Sequence, residues 1–129
     1  MTNEEKQLLL IDLCAREPYH PRIQVFNQGY EGFQDGEFDT NLWLHHIDAF
    51  RFDRIEILPY LRPMGSMTEE EKDKFDKLMN LVEERCINAY GKGGYTLSFT
   101  ELNDWLNAHN FDYRGLIPMG LALEEKNIK

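Results

Sequence analysis

Cysteine is scarce: Cys14 and Cys86 are the two in 129 residues, with no C-x-x-C pair and no Cys/His spacing of a zinc site. A disulfide scaffold is excluded, and both are expected to be reduced thiols buried on apolar helix faces. Serine is equally scarce. Ser66 and Ser98 read as loop and cap residues and stand in no G-x-S-x-G elbow, so nucleophilic serine chemistry has no candidate. No apolar run approaches the roughly 18 residues that span a bilayer. The opening MTNEEKQLLLIDLCARE carries glutamates where a signal peptide is basic, so a soluble, cytoplasmic protein is expected. Basic residues are also in deficit, 14 Lys and Arg against 23 Asp and Glu, for a net charge of -9. Direct nucleic-acid binding is not expected from such a chain, because that affinity comes largely from basic residues displacing counterions from phosphates. The acids are dispersed, and the one dense run, Glu69-Glu70-Glu71, lies where a helix start favours it. A solvated acidic surface fits this pattern better than a nucleic-acid mimic.

What is present suits a single domain over residues 1–129, with 42% hydrophobic residues and a charged tail, 125–129, expected to fray. Asn3 to Arg16 is expected to be helical, with Thr2 and Glu5 forming a capping box and Pro18 ending it; Leu9, Leu10, Leu13 and Cys14 share a face. Arg22 to Asn27 alternates polar and apolar residues as a half-buried strand does, and the glycine-containing 27–37 segment follows as a loop. Thr40 to Asp48 reads as a second strand and Arg54 to Ile57 begins a third; short connections favour an antiparallel meander. The central helix is capped by Thr68 and Glu71 and buries Phe75, Leu78, Met79, Val82, Cys86 and Ala89, with Gly91 as its stop. Ser98 with Glu101, and Leu97 with Leu102, predict a cap and staple for a last helix over Phe99 to His109, terminated at Asn110. The fold class is therefore α+β: a small antiparallel sheet of about three strands against a long amphipathic helix, with N-terminal and C-terminal helices.

Candidate chemistry is thin. His45 and His46, adjacent on a strand, would point to opposite faces and could not share one metal ion. The glycines of 91–94 follow a helix instead of opening one, unlike a phosphate loop, and read as a helix stop. No metal or cofactor is expected, and no catalytic residue is assigned. One segment concentrates aromatic and charged residues: Trp105, His109, Phe111, Tyr113 and Arg114 make a candidate interaction surface of the composition found at binding hot spots. The competing reading docks them on the core, with Arg114 tied to a carboxylate or a helix end.

Two blocks, YLRPMGSMTEEE (60–71) and WLNAHNFDYRGLIPMGLALE (105–124), resemble those of short uncharacterised proteins of gut anaerobic bacteria and their phages and mobile elements. The resemblance implies a small accessory protein and supplies no activity; residues 28–52 have no counterpart in it. The expectation is a non-enzymatic protein that binds an unidentified host or phage protein and so modulates a host process or defence. Its rivals are a small enzyme or ligand-binding protein with a pocket near the last helix, an acidic mimic of nucleic acid, and a structural oligomer subunit.

Overall fold

The first helix, α1 (Asn3–Arg16), starts on the expected capping box: Glu5 N donates to Thr2 Oγ1 at 3.0 Å and Thr2 N to Glu5 Oε1 at 2.8 Å. The computed structural model containing it describes the backbone of residues 1–89 and 94–125 and the side chains of 1–83 and 100–125. The buried positions of α1 are Leu9, Asp12, Leu13 and Arg16, one face at helical spacing that includes an ion pair. Cys14 is exposed, which corrects the expected buried thiol: at 100° per residue it lies roughly 150° around the helix from that face. Cys86 lies outside the described side chains.

A 3-10 turn (Glu17–Tyr19) and a left-handed His20 lead into β1 (Arg22–Asn27), at the bounds its alternation predicts. The next strand, β2 (Gly36–Asn41), comes earlier than expected. Buried Asn27 shapes the loop between them: its Nδ2 donates to the carbonyls of Tyr30, Phe33 and Gln34 at 3.0–3.2 Å, and its Oδ1 accepts from Tyr30 N at 3.1 Å. The strand expected over Thr40 to Asp48 is overturned, because β2 ends at Asn41 and Leu44–Arg51 is a helix, α2. Its buried residues His46, Ile47, Ala49 and Phe50 follow helical spacing, which the alternation of the residues before them masks. The strand β3 (Ile55–Leu61) follows.

Four strands, counting the short β4 (Leu123–Glu124), make a mixed sheet in the order β2-β1-β3-β4, where the sequence indicates about three. The meander is also corrected. β1 lies in the middle, antiparallel to both β2 and β3, since α2 carries the chain past it; β4 runs parallel to β3. The class is α+β, as expected.

The long helix α3 (Glu69–Ala89) begins on its Thr68–Glu71 box, with Glu71 N to Thr68 Oγ1 at 3.2 Å and Thr68 N to Glu71 Oε1 at 2.9 Å. The last helix, α4 (Gly94–Ala108), starts before Ser98. Ser98 therefore sits on helical backbone inside the element, and the helix start expected there is corrected to Gly94. Gly91 lies outside the described residues. Asn110 ends the helix region with φ 62°, as expected.

Two apolar clusters result. The larger joins Leu9 and Leu13 of α1, Ile47 and Phe50 of α2, and Ile23, Val25, Ile55, Ile57 and Leu61 of the sheet, and is closed by Leu116, Leu121 and Ala122. The smaller holds Leu78 and Val82 of α3 against Leu102 and Leu106 of α4, with Phe111 beneath them. The long helix thus meets α4 directly and reaches the sheet through Phe111, whose backbone bridges Arg62 at the end of β3. One face of the sheet is covered in this way. The other, carrying Arg22, Gln24 and Phe26 of β1, Glu37, Asp39 and Asn41 of β2, and Glu56, Leu58 and Tyr60 of β3, is not.

Candidate functional site

The residues singled out between 105 and 114 are largely drawn inward. Phe111 is 0% exposed, which removes it from the candidate surface. Trp105 is half-buried in the smaller cluster and stacks on Phe111 at 5.6 Å. His109 is exposed, with its Nδ1 2.9 Å from the Trp105 carbonyl one turn back. Tyr113 donates its hydroxyl proton to Asn107 Oδ1 at 2.9 Å, and Arg114 Nη2 donates to that hydroxyl at 3.0 Å. Arg114 Nε also donates to Asp12 Oδ1 at 3.2 Å, while Arg16 Nε donates to Asp12 Oδ2 at 2.8 Å. Arg16 Nη2 continues to the Phe111 carbonyl at 2.8 Å. A fully buried carboxylate thus holds two guanidinium groups and fastens the chain after α4 to α1. Asp112 pins the next turn by accepting from Leu116 N and Ile117 N at 2.8 and 2.9 Å. Tyr113 and Arg114 come together here as structural anchors.

Sequence reasoning passes over a second anchor, Arg62. Its guanidinium makes a two-pronged bond to Glu71 at 2.7 and 2.8 Å and lies over the Phe111 ring at 4.3 Å, while its N–H donates to the Asn110 carbonyl at 2.7 Å. The Arg62 hydrogen bonds, aided by the Thr68 N–H, hold the Glu71 carboxyl down at about 2. The only trace in the sequence is an arginine before a capping box, too common a pattern to single out.

His45 and His46 lie on α2, not on a strand, and the helix sets their rings 4.1 Å apart, so the opposite-faces argument does not apply. Among the described residues no group of three His, Cys, Asp and Glu side chains is placed to hold a metal ion. His46 accepts the Trp43 N–H on Nδ1 at 3.0 Å, closing the first turn, and burial followed by the neighbouring His45 lowers it to about 4, so it is neutral at pH 7. His45 stacks on Phe33 at the rim of a shallow, open recess lined by Tyr30, Phe52 and Arg54.

A cleft of about 460 Å³ opens on the second face of the sheet, where β1, β2 and β3 meet Met1, the first turn of α1 and the 119–121 turn. Phe26 and Leu58 are half-buried in its floor and Met119 is exposed on its wall. The two ends of this face differ in charge. Toward Arg22 the charges are paired: Arg22 binds Asp39 at 3.3 Å and lies over the Tyr60 ring at 4.0 Å, and Tyr60 donates to Asp39 at 2.8 Å. Around Phe26 they are not. Glu37 and Glu56 are exposed, lie directly across β1 from one another with Phe26 between them, and line the cleft with no ion-pair partner among the described residues; Glu37 accepts from Gln24 Nε2 at 3.3 Å, and Glu5 on the rim accepts from Thr2 N and lies near the Met1 ammonium. Alternation in β1 makes Phe26 legible from the sequence, but the glutamates flank it only through a strand register the sequence does not disclose.

No protein-family model, curated protein or solved structure matches the chain. Among the described residues, no helix is long and apolar enough to cross a membrane.

Proposed function

We propose that this chain is a non-enzymatic accessory protein of a phage or mobile element, acting in the host cytoplasm through contact with a host or phage protein and so modulating a host process or defence. The observation that supports it is the one-sided sheet: α1, α2 and residues 116–122 bury one face, and the other keeps Phe26 and Leu58 at the floor of an open cleft. A face that served only to meet water would carry polar side chains at those central positions. The resemblance of residues 60–71 and 105–124 to short uncharacterised proteins of gut anaerobic bacteria and their phages and mobile elements, which implies a small accessory protein, points the same way. The rival pocket near the last helix draws less support, since Tyr113 and Arg114 spend their polar atoms on Asn107 and Asp12.

Affinity capture from host lysate, with and without infection, tests this reading when the wild type is compared with Leu58→Asp and with Ile11→Asp on the exposed side of α1. The expected result is a specific protein retained by the wild type and Ile11→Asp and lost by Leu58→Asp. Identical capture by all three proteins would remove the sheet face from the function.

A further inference from the structure

The row Glu37–Phe26–Glu56 crosses three adjacent strands in register, so an aromatic ring has a carboxylate on each side, each about 5 Å away along the sheet at the backbone. An aromatic face attracts a cation through its quadrupole, and two flanking carboxylates reinforce that attraction while accepting its N–H donors. Beside the row, Leu58 stands diagonal to Phe26 on the same face, and Met119 closes the wall, so apolar surface is available for a methylene stem next to the charged end. A side chain with an aliphatic stem and a cationic head matches this arrangement. An acidic or purely apolar group does not, since it would leave the glutamates repelled or desolvated.

Resting on the reading of this face as the contact surface, we propose that the cleft receives a lysine or arginine side chain from a basic extended segment of the partner protein. The stem lies over Leu58 and Phe26, and the head sits between Glu37 and Glu56. Charge complementarity selects this occupant: the protein carries -9, and Glu37 and Glu56 have no ion-pair partner among the described residues while Asp39 at the Arg22 end is neutralised within the fold. Exposed carboxylates of this kind act chiefly on encounter and are screened by salt.

An amide-resolved NMR titration of the full chain with a short peptide alternating lysine and threonine, beside its glutamate-for-lysine counterpart and spermine, tests the assignment at low and at physiological ionic strength. Expected are perturbations confined to residues 24–26, 37, 56–58 and 119–121 with the lysine peptide, none with the glutamate peptide, and weaker binding as salt rises. The double variant Glu37→Gln, Glu56→Gln should weaken binding about tenfold and Phe26→Leu about two- to fivefold, while Asp73→Asn on α3 changes nothing. Perturbations elsewhere, no response at low ionic strength, or unaltered affinity in the double variant would overturn the proposal. Spermine binding as tightly at the same amides would overturn the assignment to a protein segment. Partner capture that survives the double variant but not Leu58→Asp would sink this inference and leave the contact face standing.

Discussion

Asp12 is the side chain on which the largest local consequence hangs. Both of its oxygens are used, one by Arg16 and one by Arg114, and it is 0% exposed. Asp12→Ala leaves a buried guanidinium without its counter-charge and is expected to cost about 3–5 kcal/mol, read as a lower midpoint in urea unfolding. Arg114→Ala, removing a partly exposed group, should cost only about 1–2 kcal/mol and leave the fold intact. The pairing with Arg16 is an i,i+4 spacing on a helix and legible in the chain, whereas that with Arg114 is not, because 102 residues separate the two; the anchoring of Arg114 to a carboxylate was foreseeable, the identity of that carboxylate was not. His46 gives a pH signature. Its imidazole is held at about 4 against an ordinary 6.5, so the unfolded chain binds the proton first as pH falls. The stability it contributes is complete above pH 6.5 and lost progressively toward 4, on the order of 2–3 kcal/mol. Glu71, held at about 2, adds its own loss only below its ordinary 4.5. Urea midpoints measured between pH 7 and 5 should fall for the wild type and flatten in His46→Asn, which retains an acceptor for the Trp43 N–H.

At the scale of elements, caps and alternation were the dependable signals. Thr2 with Glu5 and Thr68 with Glu71 start α1 and α3 where their residue types indicate, and Ile23 and Val25 mark β1. The failures share a physical origin, which is that tertiary partners override local pattern. The α2 helix has Trp43 in its N-cap position and no side-chain cap there, so only His46 answering the Trp43 N–H signals its start. Ser98 and Glu101 look like a cap by type, yet the helix already runs from Gly94. Because α3 and α4 meet in a cluster of their own, Leu106→Ala should cost about 2–5 kcal/mol, and native-state hydrogen exchange should quicken most in α3 and α4 and least in β1. Uniform quickening across both clusters would show that the molecule opens only as one unit.

For the whole molecule, the distinguishing property is a sheet finished on one side and bare on the other. Its open side separates function from stability: by urea unfolding, Glu37→Gln is expected to stay within about 0.5 kcal/mol of wild type and Leu58→Asp, at a half-buried position, to cost about 1–2 kcal/mol without unfolding the chain, while they weaken or abolish partner capture. The finished side has a consequence in time. Leu9, Leu13, Ile23, Val25 and Ile57 wait for Leu116, Leu121 and Ala122 to close over them, and β4 must reach β3 along its parallel edge. A ribosome therefore has to deliver the chain as far as Leu123 and Glu124 before the main core and its sheet can shut. Until then the nascent protein presents β1 and β3 as sticky surface, and that interval is when a chaperone, or an unwanted neighbour, has its opportunity.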